Sequence, residues 1–162
     1  MLLSETSMSE SARILVIDDD ENIRKGLTMI LESKGYAVDL ATDGAEAIRK
    51  SRERFYNVSL IDIRLPDMDG VELLRTMREG VPKMVKIIIT GYPSQENAIK
   101  AVNDGANGYI IKPVKTEELL SLIEKHLKKQ QDERKYSEEK VAEYIETRAR
   151  EQEARHSDTQ DT

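Results

Sequence analysis

An apolar run that ends in a carboxylate, Val58-Ser59-Leu60-Ile61-Asp62, is followed by the turn-rich stretch Ile63-Arg64-Leu65-Pro66-Asp67-Met68-Asp69-Gly70. A carboxylate in that place can act as a metal ligand, as a nucleophile or only as a helix cap. Other apolar runs end in the same way. Arg13 to Ile17 runs into Asp18-Asp19-Asp20, Val85 to Ile89 into Thr90, and Gly108 to Ile111 into Lys112. Clustered acids raise one another's pKa unless a cation joins them. An oxygen-only ligand set without His or Cys favours a hard ion, Mg²⁺ before Ca²⁺. A threonine hydroxyl and a lysine ammonium are suited to phosphoryl oxygens. An aspartate can itself attack phosphorus and form an acyl phosphate. These residue types together read as metal-assisted phosphoryl transfer onto a protein carboxylate.

That chemistry requires the runs to end on one edge. The runs lack the polar alternation of a half-exposed strand, so they read as strands buried on both faces. Between them lie helical patterns. Ile23, Leu27, Ile30 and Leu31 share one face of a first helix. Asp43 reads as the cap of a second helix, Asp69 of a third with Val71, Leu74 and Met77 inward, broken at Gly80-Val81-Pro82. Ser94 caps a fourth with Ala98, Ala101 and Val102 inward, and Thr116 a fifth. Tyr36 to Leu40 is the remaining strand. Five β-α repeats predict an α/β fold with a five-stranded parallel, doubly wound sheet. All strands then end at the same edge, where such sheets hold ligands.

Composition narrows the function classes. The 162 residues are 38% apolar and 35% charged, with a net charge of -6 and no cysteine. Disulfides, thiolate metal sites and cysteine catalysis are excluded, and a reducing compartment fits. An acidic chain repels phosphate backbones, so direct nucleic-acid binding is not expected. No apolar run approaches a membrane span, so no membrane insertion is expected. Met1 to Ala12 has neither a basic nor an apolar signal region. The expected location is cytoplasmic.

The motifs Ile-Leu-Val-Ile-Asp-Asp-Asp, Leu-Ile-Asp-Ile-Arg-Leu-Pro-Asp-Met-Asp-Gly, Ile-Ile-Ile-Thr-Gly and Gly-Tyr-Ile-Ile-Lys-Pro resemble the receiver domain of response regulators in two-component systems, over about residues 13–128. The resemblance implies a flavodoxin-like strand order 2-1-3-4-5. It implies that Asp62 accepts a phosphoryl group from a histidine kinase and that Mg²⁺ is held by Asp18, Asp19, Asp62 and the Arg64 carbonyl, Asp19 directly and Asp18 mainly through water. Thr90 would bind the phosphoryl oxygen, and Lys112 would pair with Asp62. Tyr109 would move inward as Thr90 shifts, and Lys112-Pro113 would carry a cis peptide. Arg64 and Tyr92 flank the site. The output would be a conformational change read by a protein partner, or by a second copy through the fourth helix, fifth strand and fifth helix. No turnover of an external substrate is implied. Two rival readings are an unphosphorylated pseudo-receiver and a phosphatase of the haloacid dehalogenase type.

Bland roles are assigned to the rest. Asp20 reads as a helix-start residue, Asp67 as a turn residue, His126 as solvated. Residues 1–11 are expected to be disordered, 12–128 to form the receiver-like domain, 129–156 to extend the last helix as a charged segment, and 157–162 to be a disordered tail. On that segment Val141, Tyr144 and Ile145 are a candidate docking patch.

Overall fold

β-Branched and leucine residues dominate the central strands, while the edge strand Ala37–Ala41 is Ala-Val-Asp-Leu-Ala. The computed structural model describes residues 12–77 and 82–160. Its elements are β1 (Arg13–Ile17), α1 (Glu21–Glu32), β2 (Ala37–Ala41), α2 (Gly44–Glu53), β3 (Val58–Asp62), α3 (Gly70–Thr76), β4 (Val85–Thr90), α4 (Gln95–Asn103), β5 (Gly108–Ile111) and α5 (Thr116–Gln160). The strands are all parallel, in the order β2-β1-β3-β4-β5. This is the expected doubly wound sheet, with strand boundaries moved by no more than one residue.

Alternation along the strands divides the core into two layers, because successive side chains point to opposite faces. Ile14 and Val16 join Leu60, Ile87, Ile89, Leu119 and Ile123 on the side covered by α1 and α5. Leu15 and Ile17 join Ile61, Ile88, Leu73 and Ala101 on the side covered by α2, α3 and α4. Each fully buried Leu or Ile stabilises the fold by roughly 1.5–3 kcal/mol, so both layers are needed to hold the sheet. Caps fix where the helices begin. Asp20, Asp43, Asp69 and Ser94 accept backbone N–H groups at the starts of α1 to α4.

Several expectations need correction. Thr116 is the first helical residue of α5, and the first bond of the helix runs from the Leu119 N–H to the Lys115 carbonyl. Val102 is 66% exposed. The small residue Ala101 forms the buried contact of α4, so Ile99 and Val102 sit on its flanks. α5 also runs on through Gln160, past the expected stop at residue 156. No Gly or Pro interrupts it, and the Ser157 hydroxyl donates to the Ala154 carbonyl within the helix. Residues 1–11, 161–162 and the break at Gly80-Val81 lie outside the described residues.

α5 leaves the sheet at Gln130, its last buried residue. The Gln130 amide donates to the Asn57 and Lys83 carbonyls at 3.1 and 2.8 Å, and its oxygen accepts from the Asn57 side chain at 3.0 Å. Asn57 in turn accepts from the Arg13 N–H at 2.9 Å. One glutamine thus ties α5 to the chain entering β1, β3 and β4, at the pole opposite Asp62. Gln130→Ala leaves these partners without it, and loss of a buried partner costs about 1–3 kcal/mol per group. We expect a loss of about 2–3 kcal/mol in urea unfolding, with Asp62 chemistry unchanged.

Candidate functional site

Parallel strands deliver Asp18, Asp62, Thr90 and Lys112 to one edge, and the register explains their proximity. Ile17 pairs with Ile61 across β1 and β3, and Asp62 with Ile89 across β3 and β4. One carboxylate oxygen from each of Asp18, Asp19 and Asp62 lies within 4.8 Å of the other two. Asp18 and Asp62 are buried at 3% and 8% exposure, while Asp19 is exposed. The cluster therefore has two walls and one open side.

Lys112 supplies the positive charge. Its Nζ lies 3.0 Å from Asp18 Oδ2 and 3.7 Å from Asp62 Oδ1. The expected pairing with Asp62 is present, but the closer contact is with Asp18. Burial pushes the Asp62 carboxyl above its usual range, and the Asp18 charge adds to this. Lys112 and the Arg64 N–H, which donates to Asp62, oppose the rise without cancelling it. An all-oxygen set with an acid kept costly to ionise is what a hard divalent cation relieves, so the residues fit Mg²⁺.

The loop after Asp62 is folded back tightly. The Gly70 N–H donates to the Ile63 carbonyl at 2.7 Å, and Arg64 pairs with Asp69 in an isolated antiparallel bridge. A Cβ on Gly70 would stand 2.2 Å from the Asp62 carbonyl oxygen, so only glycine allows this approach. Thr90 is fully buried, and its Oγ1 accepts from the Tyr92 N–H at 3.0 Å. Tyr109 is half-buried, packed against the α2–α4 side of the core, and its hydroxyl has no hydrogen-bond partner among the described residues. Lys112-Pro113 is cis.

Some groups near the site were not legible in the sequence. The Arg64 guanidinium stacks on the Tyr92 ring at 3.6 Å from its centroid, joining the two flanking positions. The Arg24 guanidinium donates to the Asp18 carbonyl at 2.8 Å. Asp67 is more than a turn residue, since it accepts from the N–H groups of Gly44 and Ala45. His126 is half-buried rather than solvated. It is held at the Asn107 carbonyl and lines a cavity of about 290 Å³ at the far pole with Lys83 and Gln130. Burial, then Lys125 and Lys129, lower its pKa.

The response regulator receiver domain matches residues 14–124. The chain belongs to the response regulator receiver family. It is 38% identical over 110 residues to the transcriptional regulatory protein ZraR of Klebsiella oxytoca, an alignment covering 68% of this chain and 25% of that protein. The chain thus spans about a quarter of that relative. A CheY-like receiver domain protein from Methanospirillum hungatei JF-1 is 43% identical with a TM-score of 0.72, over 75% of this chain and 98% of that one. A response regulator from Burkholderia pseudomallei, solved with a phosphorylated aspartic acid, a calcium ion and citrate, is 30% identical with a TM-score of 0.65, over 76% and 72%. The phosphatase alternative is set aside by this membership. No helix among the described residues is long and apolar enough to cross a membrane.

The raised Asp62 pKa fixes a sign for this receiver. Its folded carboxyl holds a proton more tightly than the unfolded one, so ionisation opposes folding. Without metal, stability therefore falls as pH rises from about 3.8 through the raised value, and the loss is complete above it. Asp62→Asn should melt higher than the wild type at pH 7 without metal, and the difference should vanish below pH 3.8 in thermal scans.

Proposed function

We propose that this receiver accepts a phosphoryl group on Asp62 from the phosphohistidine of a histidine kinase and passes the signal on by a change of shape. The observation that carries this reading is the convergence of Asp18, Asp19 and Asp62 within 4.8 Å beside the Lys112 ammonium. An Asp62 oxygen attacks phosphorus. The P–N bond to the donor imidazole breaks, and its electron pair stays on nitrogen, which takes a proton from solvent. Lys112, 3.7 Å from Asp62 Oδ1, would pair with the phosphoryl oxygens of the acyl phosphate as it forms. The Thr90 hydroxyl is one residue from a loop that can carry it toward the new phosphoryl group.

Asp18, Asp19, Asp62 and the Arg64 carbonyl are proposed to hold Mg²⁺, Asp19 directly and Asp18 mainly through water. Bound there, the ion neutralises charge on the transferring phosphoryl oxygens. Tyr109 is proposed as the readout. Its buried hydroxyl has no hydrogen-bond partner among the described residues, and a polar group in that state is costly, so an alternative ring position competes with the present one. The exposed Ile99, Val102 and Ile111 lie on the face of α4 and β5 where a protein partner or a second copy is proposed to dock. Relatives such as ZraR are transcriptional regulators. Transcription is accordingly the proposed end of the pathway, reached through a partner or further parts of a longer chain rather than through nucleic-acid contacts of this acidic domain. Its proposed place is the cytoplasm, and it turns over no external substrate.

Intact mass after incubation with Mg²⁺ and acetyl phosphate tests the reading. One added phosphoryl group is expected, absent in Asp62→Asn and absent without metal. Lys112→Met should slow its formation about 100-fold, the usual effect of removing one charge-stabilising donor. If no adduct forms and beryllofluoride does not bind, the pseudo-receiver reading replaces this one.

A further inference from the structure

The loop that follows Asp62 is held from outside the ligand set. Asp67 Oδ1 accepts the Gly44 N–H at 2.8 Å, and Asp67 Oδ2 accepts the Ala45 N–H at 2.9 Å. These are the first two residues of α2, 23 and 22 positions earlier in the chain. Helix starts leave such donors without partners. The Asp43 side chain accepts the Glu46 N–H, and Asp67 takes those of Gly44 and Ala45. Bonds from a carboxylate to N–H groups at the positive end of a helix are the stronger, charge-assisted kind. They hold the Asp67 carboxyl below its usual range.

Contact beside these bonds is close as well. A Cβ on Gly44 would lie 2.4 Å from Met68 Sδ, so the loop rests directly on the first turn of α2. At its other end the loop is closed by the Gly70–Ile63 bond and by the Asp69 cap of α3. Between these anchors lies Arg64, whose N–H donates to Asp62. The closure at Gly70 and the Arg64–Asp69 bridge tie the two ends of the loop to each other, and Asp67 ties its middle to a separate element, α2.

We infer that Asp67 is a positioning residue that makes the start of α2 part of the metal site, by fixing the loop that carries the Arg64 carbonyl. The inference rests on the proposed Mg²⁺ site and adds to it. Linkage is reciprocal, so a loop that α2 holds ready for Mg²⁺ is a loop whose bonds to α2 are strengthened when Mg²⁺ binds. α2 then reports occupancy of the site on the side of the sheet away from α5.

The experiment combines Mg²⁺ titration with amide exchange on the wild type, Asp67→Ala and Asp67→Asn. In wild type, Mg²⁺ should slow exchange of the Gly44 and Ala45 amides. In Asp67→Ala these amides should exchange faster without metal and ignore its addition, and Mg²⁺ affinity should fall about 10-fold, as for loss of other groups that orient metal ligands. Asp67→Asn keeps one acceptor oxygen and should lie between. Asp67→Ala with wild-type Mg²⁺ affinity would reduce Asp67 to a helix cap and overturn the inference alone. So would Gly44 and Ala45 amides that ignore Mg²⁺ in wild type. A wild type that binds no Mg²⁺ would overturn the site itself and this inference with it.

Discussion

Like charges held close in a poorly solvated place must be compensated, and that constraint organises this molecule. Asp18 and Asp62 are buried at the ends of adjacent strands, and Asp19 stands beside them. The Lys112 ammonium offsets part of the repulsion from β5, two strands away from β3. The sheet therefore does more than support the site. Its parallel register brings residues 18, 62 and 112 together, and its two packed layers keep them from separating. The residual imbalance, visible in the raised Asp62 pKa, leaves the site in want of further positive charge. A domain balanced in this way answers readily to a cation or to a change in the charge of Asp62.

Most of the architecture was legible in the sequence because it depends on local patterns. Apolar runs without alternation marked the buried strands, and the acids and serine before helical stretches marked their caps. Asp43, Asp69 and Ser94 were readable for that reason. The principal residues of the edge were legible because each follows an apolar run directly. Contacts between segments far apart were not. Nothing in the order of residues says that Asp67 reaches α2, that Arg24 holds the Asp18 carbonyl or that Lys112 stands closer to Asp18 than to Asp62. Val102 was misjudged because helical period alone does not tell which of two adjacent stripes meets the sheet. The small Ala101 made that choice.

Loops at the site are held by different means. The first is fixed by Arg24 and by the Asp20 N–H, which donates to the Asp18 side chain. The third is fixed by Asp67 and the turn at Gly70. The fourth has the Arg64–Tyr92 stack and the bond from the Tyr92 N–H to Thr90. The stack rests on an exposed aromatic ring, and such a contact opens more easily than bonds to a helix end. The loops are thus unequal in stiffness. The one that carries Thr90 has the least to lose by moving, while those carrying the acids have the most.

α5 passes Gln130 without a break and continues for 30 residues, about 45 Å at the rise of an α-helix. Such a rod transmits angle as well as distance. Val141 lies 11 residues beyond Gln130, about three turns, so it returns to nearly the same azimuth as the stripe that packs on the sheet. Adding or removing one residue between them would turn the Val141, Tyr144 and Ile145 patch by about 100° relative to the domain. A seven-residue insertion would restore its bearing to within about 20° and move it about 10 Å outward. The length of this helix is therefore a phase setting. Whatever engages its outer turns meets the sheet at one fixed rotation.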